Sequence, residues 1–256
     1  MKLALITGAS SGIGAATAKH FAKTGYKVVL VARNQEKLEN IATEIGPNAI
    51  VEPCDAGVGQ SVLAMAKRVK KEHGIPDLIV NAAGAGEWKW IEETTPFEAV
   101  KMMNAPYFAA FNITHAFMRD LLKAGKGVII HVGSPVSFLT WPSSTGYAGA
   151  RWALRGLNEA LNADLHRTGV RSCHVVFGKV SSSYFDNNPR TLERMPSIAK
   201  TIPDISPEDC ATIIAKIAKN PRRQYVYPFI LRIYYWLNII FPSISRWLMW
   251  KTGAKH

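Results

Sequence analysis

The chain has 256 residues, 48% hydrophobic and 20% charged, which suits one large α/β domain with a real core. No period of 20–50 residues repeats, which excludes a solenoid, and three scattered cysteines (Cys54, Cys173, Cys210) form no disulfide or metal pattern. A reducing, cytoplasmic compartment is the expectation.

The net charge of +12 is unevenly placed. Residues 1–209 carry 23 basic and 19 acidic side chains, whereas 210–256 carry eight basic ones and no acid. A basic tail of this kind meets nucleic acid or an anionic membrane surface. At the other end, the apolar run after Met1-Lys2 is too short for a signal core, so the chain is expected to open on its first strand.

Short apolar runs at 3–6, 28–31, 49–51, 78–80, 128–132 and 172–177 predict buried strands. Amphipathic stretches near 12–24, 34–45, 58–72, 96–124 and 147–167 predict helices between them. That alternation implies a Rossmann-type doubly wound α/β/α fold, a parallel sheet covered on both faces, with ligands at the carboxyl ends of the strands. An irregular stretch over 181–206, with Pro189, Pro196 and Pro203, reads as a functional lid. A short helix near 207–219 and a last strand at 224–227 follow. The expected organisation is a dinucleotide-binding catalytic domain over 1–227 and a helical extension over 228–256.

The first strand runs into Thr7-Gly8-Ala9-Ser10-Ser11-Gly12-Ile13-Gly14, and a helix follows. Glycines let a pyrophosphate approach the backbone, and the helix N-terminus offers free N–H groups to it. With Asn81-Ala82-Ala83-Gly84 after the fourth strand and Asp55 after the third, this spacing resembles the short-chain dehydrogenase/reductase family over about residues 1–225. The resemblance implies dinucleotide contacts from Gly8, Ser10, Ser11, Gly12, Ile13, Gly14, Asp55, Asn81 and Ala82. The second strand ends Val31-Ala32-Arg33, without the acid that bonds a ribose 2′-OH. Arg33 pairs instead with a 2′-phosphate, so NADP(H) is expected over NAD(H).

Ser134 and Tyr147, thirteen residues apart, match the family's Ser…Tyr pair, and Asn104 matches its catalytic asparagine. The resemblance makes Tyr147 the proton donor to a carbonyl oxygen. Ser134 becomes its hydrogen-bonding partner, and Asn104 the holder of a relay water. Arg151 stands where the family has lysine, four residues on and so on the same helix face as Tyr147. It keeps the charge that favours tyrosinate and the donors that hold the cofactor, but it cannot release a proton. Three readings stay open: a working oxidoreductase with an adjusted relay, a slow one, and a nucleotide-binding sensor or scaffold without turnover; retained activity is favoured because Asn104, Ser134 and Tyr147 remain. Val180 and Ser182 keep the frame that bonds the carboxamide in the family, while Phe177 replaces its proline. His131 reads as a core or supporting histidine. No metal site is expected.

Residues 225–250 hold nine of the chain's 25 aromatics. Arg232 and Arg246 bound a charge-free run of 13 residues, too short to span a bilayer. One or two interfacial helices are predicted, similar to the tails of membrane-associated family members. Packing over the pocket or burial in a dimer interface would account for the same composition. The resemblance further implies a homo-oligomer paired through the helices near 105–124 and 147–167. A hydrophobic small-molecule substrate is expected. The tail's aliphatic content argues against nucleic acid.

Overall fold

The structure is a computed structural model and describes residues 1–182, 184 and 188–255. Seven strands form one parallel sheet: β1 (Leu3–Thr7), β2 (Lys27–Ala32), β3 (Ala49–Pro53), β4 (Leu78–Asn81), β5 (Gly127–Gly133), β6 (Val170–Phe177) and β7 (Gln224–Tyr227). Their order is β3-β2-β1-β4-β5-β6-β7, with the reversal between β1 and β4. Each central strand is buried on both faces, which is why the sequence shows continuous apolar runs and not alternation.

Helices α1 (Gly12–Lys23), α2 (Gln35–Ile45) and α3 (Gly59–Glu72) connect the first strands. Helices α4 (Pro96–Met103), α5 (Ala109–Ala124) and α6 (Thr145–Asp164) follow, then α7 (Pro189–Glu193) and α8 (Pro207–Lys219). Two separate buried clusters result. Ile6, Leu30, Val80, Val175 and Phe177 pack against α1 and α8, while Leu5, Val29, Ile79 and Ile129 pack against α3 and α5. Local chemistry sets several boundaries. Asn34 caps α2 by accepting from the Lys37 N–H at 2.9 Å, and Thr95 with Glu98 makes a capping box at α4.

The single helix expected over 96–124 is interrupted by a π-helical turn, Asn104–Phe108. Pro106 has no N–H for the Met102 carbonyl and its ring crowds that group, so the helix widens there. The Ala109 N–H reaches back five residues to the Asn104 carbonyl.

The stretch expected to be an irregular lid carries α7 and a 3₁₀ turn, Ser197–Thr201, and closes through a parallel bridge between Val180 and Ile205. Its residues 183 and 185–187 lie outside the described residues. Beyond β7 come α9 (Phe229–Ile240) and α10 (Pro242–Thr252), where one or two helices were expected of the tail. Among the described residues, no helix is long and apolar enough to cross a membrane. The three cysteines are free and buried, and no group of metal-ligating side chains occurs among the described residues.

Candidate active site

A cavity of about 1060 Å³ opens at the carboxyl ends of the strands. Its floor is the turn after β1. Thr7 fixes that turn, since its Oγ1 accepts from the Ala82 and Ala83 N–H groups, each at 3.1 Å, and so ties the ends of β1 and β4 together. Gly8 has φ +67°, and a Cβ on it would lie 2.9 Å from the Ala83 nitrogen. At Gly14 a Cβ would sit 2.2 Å from the Gly8 carbonyl oxygen. Only glycine fits either position, and the tight turn delivers the start of α1 to the cavity.

Gly8, Ser10, Ser11, Gly12, Ile13, Gly14, Arg33, Asp55, Ala82, Val180 and Ser182 all line this cavity. Ser182 faces the phosphate loop from across it, its Cβ 3.4 Å from where a Gly12 Cβ would be. Asp55 is held by its own turn, accepting from the Gly57 N–H at 2.9 Å. Beside Arg33 lies Lys37, a second cation on the same wall that sequence reasoning passed over. Neither forms an ion pair among the described residues. Asn81 is the one member of the expected set that does not line the cavity. It is buried, within 3.3 Å of the His131 ring and 3.5 Å of the Thr114 hydroxyl.

Asn104, Ser134, Tyr147 and Arg151 line the same cavity. The end of β5 presents Ser134, the first turn of α6 presents Tyr147, and the π-turn presents Asn104. Tyr147 is 5% exposed and Arg151 7%, so both act in a low-dielectric setting. The Arg151 guanidinium lies 5.1 Å from the Tyr147 ring centre and donates to the Val132 carbonyl at 3.1 Å. Gly84 and Gly86 make room for the pair. A Cβ on Gly84 would be 2.6 Å from an Arg151 nitrogen, and one on Gly86 would be 2.5 Å from the Tyr147 ring.

Aromatic groups close the site. Trp88 packs on Trp141 at 4.9 Å and on Tyr147 at 6.0 Å. Tyr184 donates to the Gly86 carbonyl at 2.7 Å, and burial, then the adjacent Tyr147, push its hydroxyl well above the usual phenol range. Arg194, in the stretch after α7, donates to the Trp88 carbonyl and forms an ion pair with Glu93, whose carboxyl is pushed down to about 2 by that hydrogen bond. Trp88, Trp141 and Tyr184 were missed because they come from three irregular segments without periodicity. Phe177, in the family's proline position, is 2% exposed and fills the core on the α8 side while its edge lines the cavity. His131 is fully buried, and burial pushes it down to about 4.

The far wall is the tail. Leu231, Tyr234 and Leu237 of α9 and Ser245, Leu248 and Met249 of α10 line the cavity. Helix α9 is fastened by Asn238, which donates to the Phe138 carbonyl at 2.9 Å, and by a 2.9 Å hydrogen bond between Tyr234 and Thr201.

The profile of the short chain dehydrogenase family matches residues 2–193. The chain belongs to that family. It is an oxidoreductase of the class, and its seven-stranded sheet is the family's dinucleotide fold. It is 27% identical to a dehydrogenase/reductase SDR family protein 7-like of Anopheles gambiae, over 99% of this chain and 84% of that protein. It is 30% identical to a fatty acyl-CoA reductase of Acinetobacter baylyi, over 87% and 75%. A solved alcohol dehydrogenase from Thermococcus sibiricus, complexed with 5-hydroxy-NADP, superposes with a TM-score of 0.77 at 29% identity, over 89% of this chain and 95% of that one.

Proposed function

We propose that the protein is an NADP(H)-dependent oxidoreductase that interconverts a carbonyl and an alcohol on a hydrophobic substrate, with Tyr147 as the acid/base. The observation that carries this reading is the convergence of Asn104, Ser134, Tyr147 and Arg151 on a single cavity with the phosphate loop. The cradle fits a dinucleotide, because Gly8 and Gly14 keep the backbone open where a Cβ would close it. The family neighbour bound to 5-hydroxy-NADP supports the choice of nucleotide, as do Arg33 and Lys37. When bound, the nicotinamide supplies or takes up a hydride.

The chain's own groups do the rest. The Tyr147 hydroxyl gives its proton to the carbonyl oxygen during reduction and takes it back during oxidation. Ser134 donates a hydrogen bond to that oxygen, favouring the charge that develops on it. Arg151 holds a fixed positive charge beside Tyr147, its guanidinium 5.1 Å from the ring centre. It cannot pass a proton on. Asn104, with its backbone carbonyl committed to the Ala109 N–H, is held rigidly in the π-turn that lines the cavity. Trp88, Trp141 and the inner faces of α9 and α10 offer the reacting end an apolar pocket, which excludes water and suits a hydrophobic substrate.

The outer faces of α9 and α10 expose Phe229, Trp236, Ile240, Phe241, Ile244, Trp247 and Trp250. We take this face as a peripheral membrane contact. Arg151 favours a second reading, a nucleotide-binding sensor, because one guanidinium nitrogen is spent on the Val132 carbonyl. The test is NADPH oxidation with hydrophobic ketones, aldehydes and acyl thioesters, run beside Tyr147→Phe. Turnover that disappears in the variant supports the oxidoreductase. Tight NADPH binding with no turnover of any substrate supports the sensor.

A further inference from the structure

Below the reacting groups, a row of polar side chains crosses the sheet. Strand register places Thr7 beside Asn81, Asn81 beside His131, His131 beside His174, and His174 beside Gln224. A row of this kind within a sheet core needs internal partners. Asn81 and His131 find each other, and Gln224 accepts from the Tyr235 hydroxyl at 3.3 Å. Several buried atoms find no protein partner: Asn81 Oδ1, His131 Nε2, both ring nitrogens of His174, and Gln224 Nε2. Arg151 Nε likewise finds no protein partner.

His174 is the member that touches the catalytic layer. A Cβ on Gly133 would lie 2.1 Å from His174 Nε2, so the imidazole occupies the space that a side chain at 133 would fill. Gly133 is flanked by Val132, whose carbonyl accepts from Arg151, and by Ser134. The ring and the guanidinium therefore meet at one short piece of backbone. Burial is the main influence that holds the imidazole neutral, aided by His131 and by the charges of Arg155 and Arg151. A neutral imidazole has an acceptor nitrogen, and Arg151 Nε–H is a donor. Polar atoms stranded like these are where internal water is found, each water making about three hydrogen bonds.

We propose that His174 is a positioning residue for Arg151, accepting its Nε–H through an internal water and so fixing the guanidinium that stands at the lysine position of the family. The proposal rests on the reading of Arg151 as the cation of the site. Lysine has no Nε–H of this kind, so the contact is particular to an arginine at this position.

The test compares His174→Leu, His174→Gln and Arg151→Ala in the full chain by thermal unfolding, NADPH titration and kcat with KM. Leucine removes two stranded polar atoms from the core, so its unfolding temperature holds or rises, while NADPH affinity falls about tenfold. Glutamine, which keeps an acceptor, restores affinity to within about threefold. In ¹⁵N spectra, the Arg151 Nε–H of the wild type is protected from solvent exchange, and its resonance shifts in His174→Gln. An affinity that stays within about twofold in His174→Leu, while Arg151→Ala loses tenfold or more, overturns the positioning role alone. The same holds if stability and affinity fall together in leucine without rescue by glutamine. If Arg151→Ala itself leaves affinity unchanged, the reading of Arg151 fails. Should His174→Leu not fold, the Nε–H exchange measured in His174→Gln decides the question.

Discussion

Replacing Arg33 by alanine tests the nucleotide assignment most directly. Arg33 and Lys37 both line the cavity wall after β2, and no carboxylate of the described residues pairs with either. A hydrogen bond to a charged group contributes about 1.5–3 kcal/mol, which corresponds to roughly 10- to 150-fold in affinity. Arg33 is exposed, so solvent screening places the expected loss near the lower limit, about tenfold in the KM for NADPH. Lys37 persists in that variant and supplies residual attraction. Arg33→Ala combined with Lys37→Ala is expected to lose about another tenfold. NADH lacks the 2′-phosphate, so its KM holds. The assay is kcat/KM for both nucleotides at low and moderate salt, because the effect shrinks as salt screens it. If NADPH and NADH weaken in parallel, or the ratio does not move, the 2′-phosphate is not read here and the assignment is wrong.

Tyr147→Phe is expected to lower kcat by about 10²- to 10⁴-fold with the KM for nucleotide little changed, measured under saturating NADPH. Gly14→Ala drives a Cβ to 2.2 Å from a backbone oxygen, and no side chain can yield there. It is expected to abolish NADPH binding and to cost about 1–3 kcal/mol of stability by denaturant titration. His131 and His174 are pushed down to about 4 and about 3 by burial, below their unfolded values. The unfolded chain then binds more protons below pH 6.5, so stability present above that pH is lost as the pH falls towards 4. The slope is at most about 1.4 kcal/mol per pH unit for each histidine, and His131→Asn should flatten it in unfolding titrations. Glutamate at Trp236 and Trp247, both more than half exposed, is expected to abolish pelleting with anionic liposomes while leaving turnover of a water-soluble ketone within about threefold.

The strands were legible because parallel sheets bury both faces, and an apolar run of four to six residues has few other uses. The phosphate loop was legible because its glycines answer to steric demands that no other residue meets. The helical stretch over 96–124 was legible, but the π-turn inside it was not, because the apolar periodicity continues through Pro106. The interruption is a backbone hydrogen-bond effect, to which that pattern is blind. Asn81, a nucleotide contact by resemblance, has its side chain turned toward α5, within reach of Thr114 and His131. Trp88, Trp141 and Tyr184 could not be foreseen, since each owes its place to tertiary folding of a loop. His131 was legible as a core histidine from its place in an apolar strand, whereas the approach of His174 to Gly133 follows from sheet register, which one strand at a time does not disclose.

The tail's composition pointed both to a pocket wall and to a membrane; the geometry puts one face of α9 on the cavity and leaves the other exposed. Leu231, Tyr234 and Leu237 turn inward, while Phe229, Ile233, Trp236 and Ile240 turn outward. A helix apolar all round is not satisfied by one contact, so the cavity accounts for only half of these residues. A second copy of this chain that met it tail to tail would bring no acid from beyond Asp209 to pair with Arg246, Lys251 and Lys255. An anionic bilayer offers both the apolar phase and the opposite charge. A substrate dissolved in that phase would then be separated from the cavity by a single layer, α9 and α10 lying side by side in its wall.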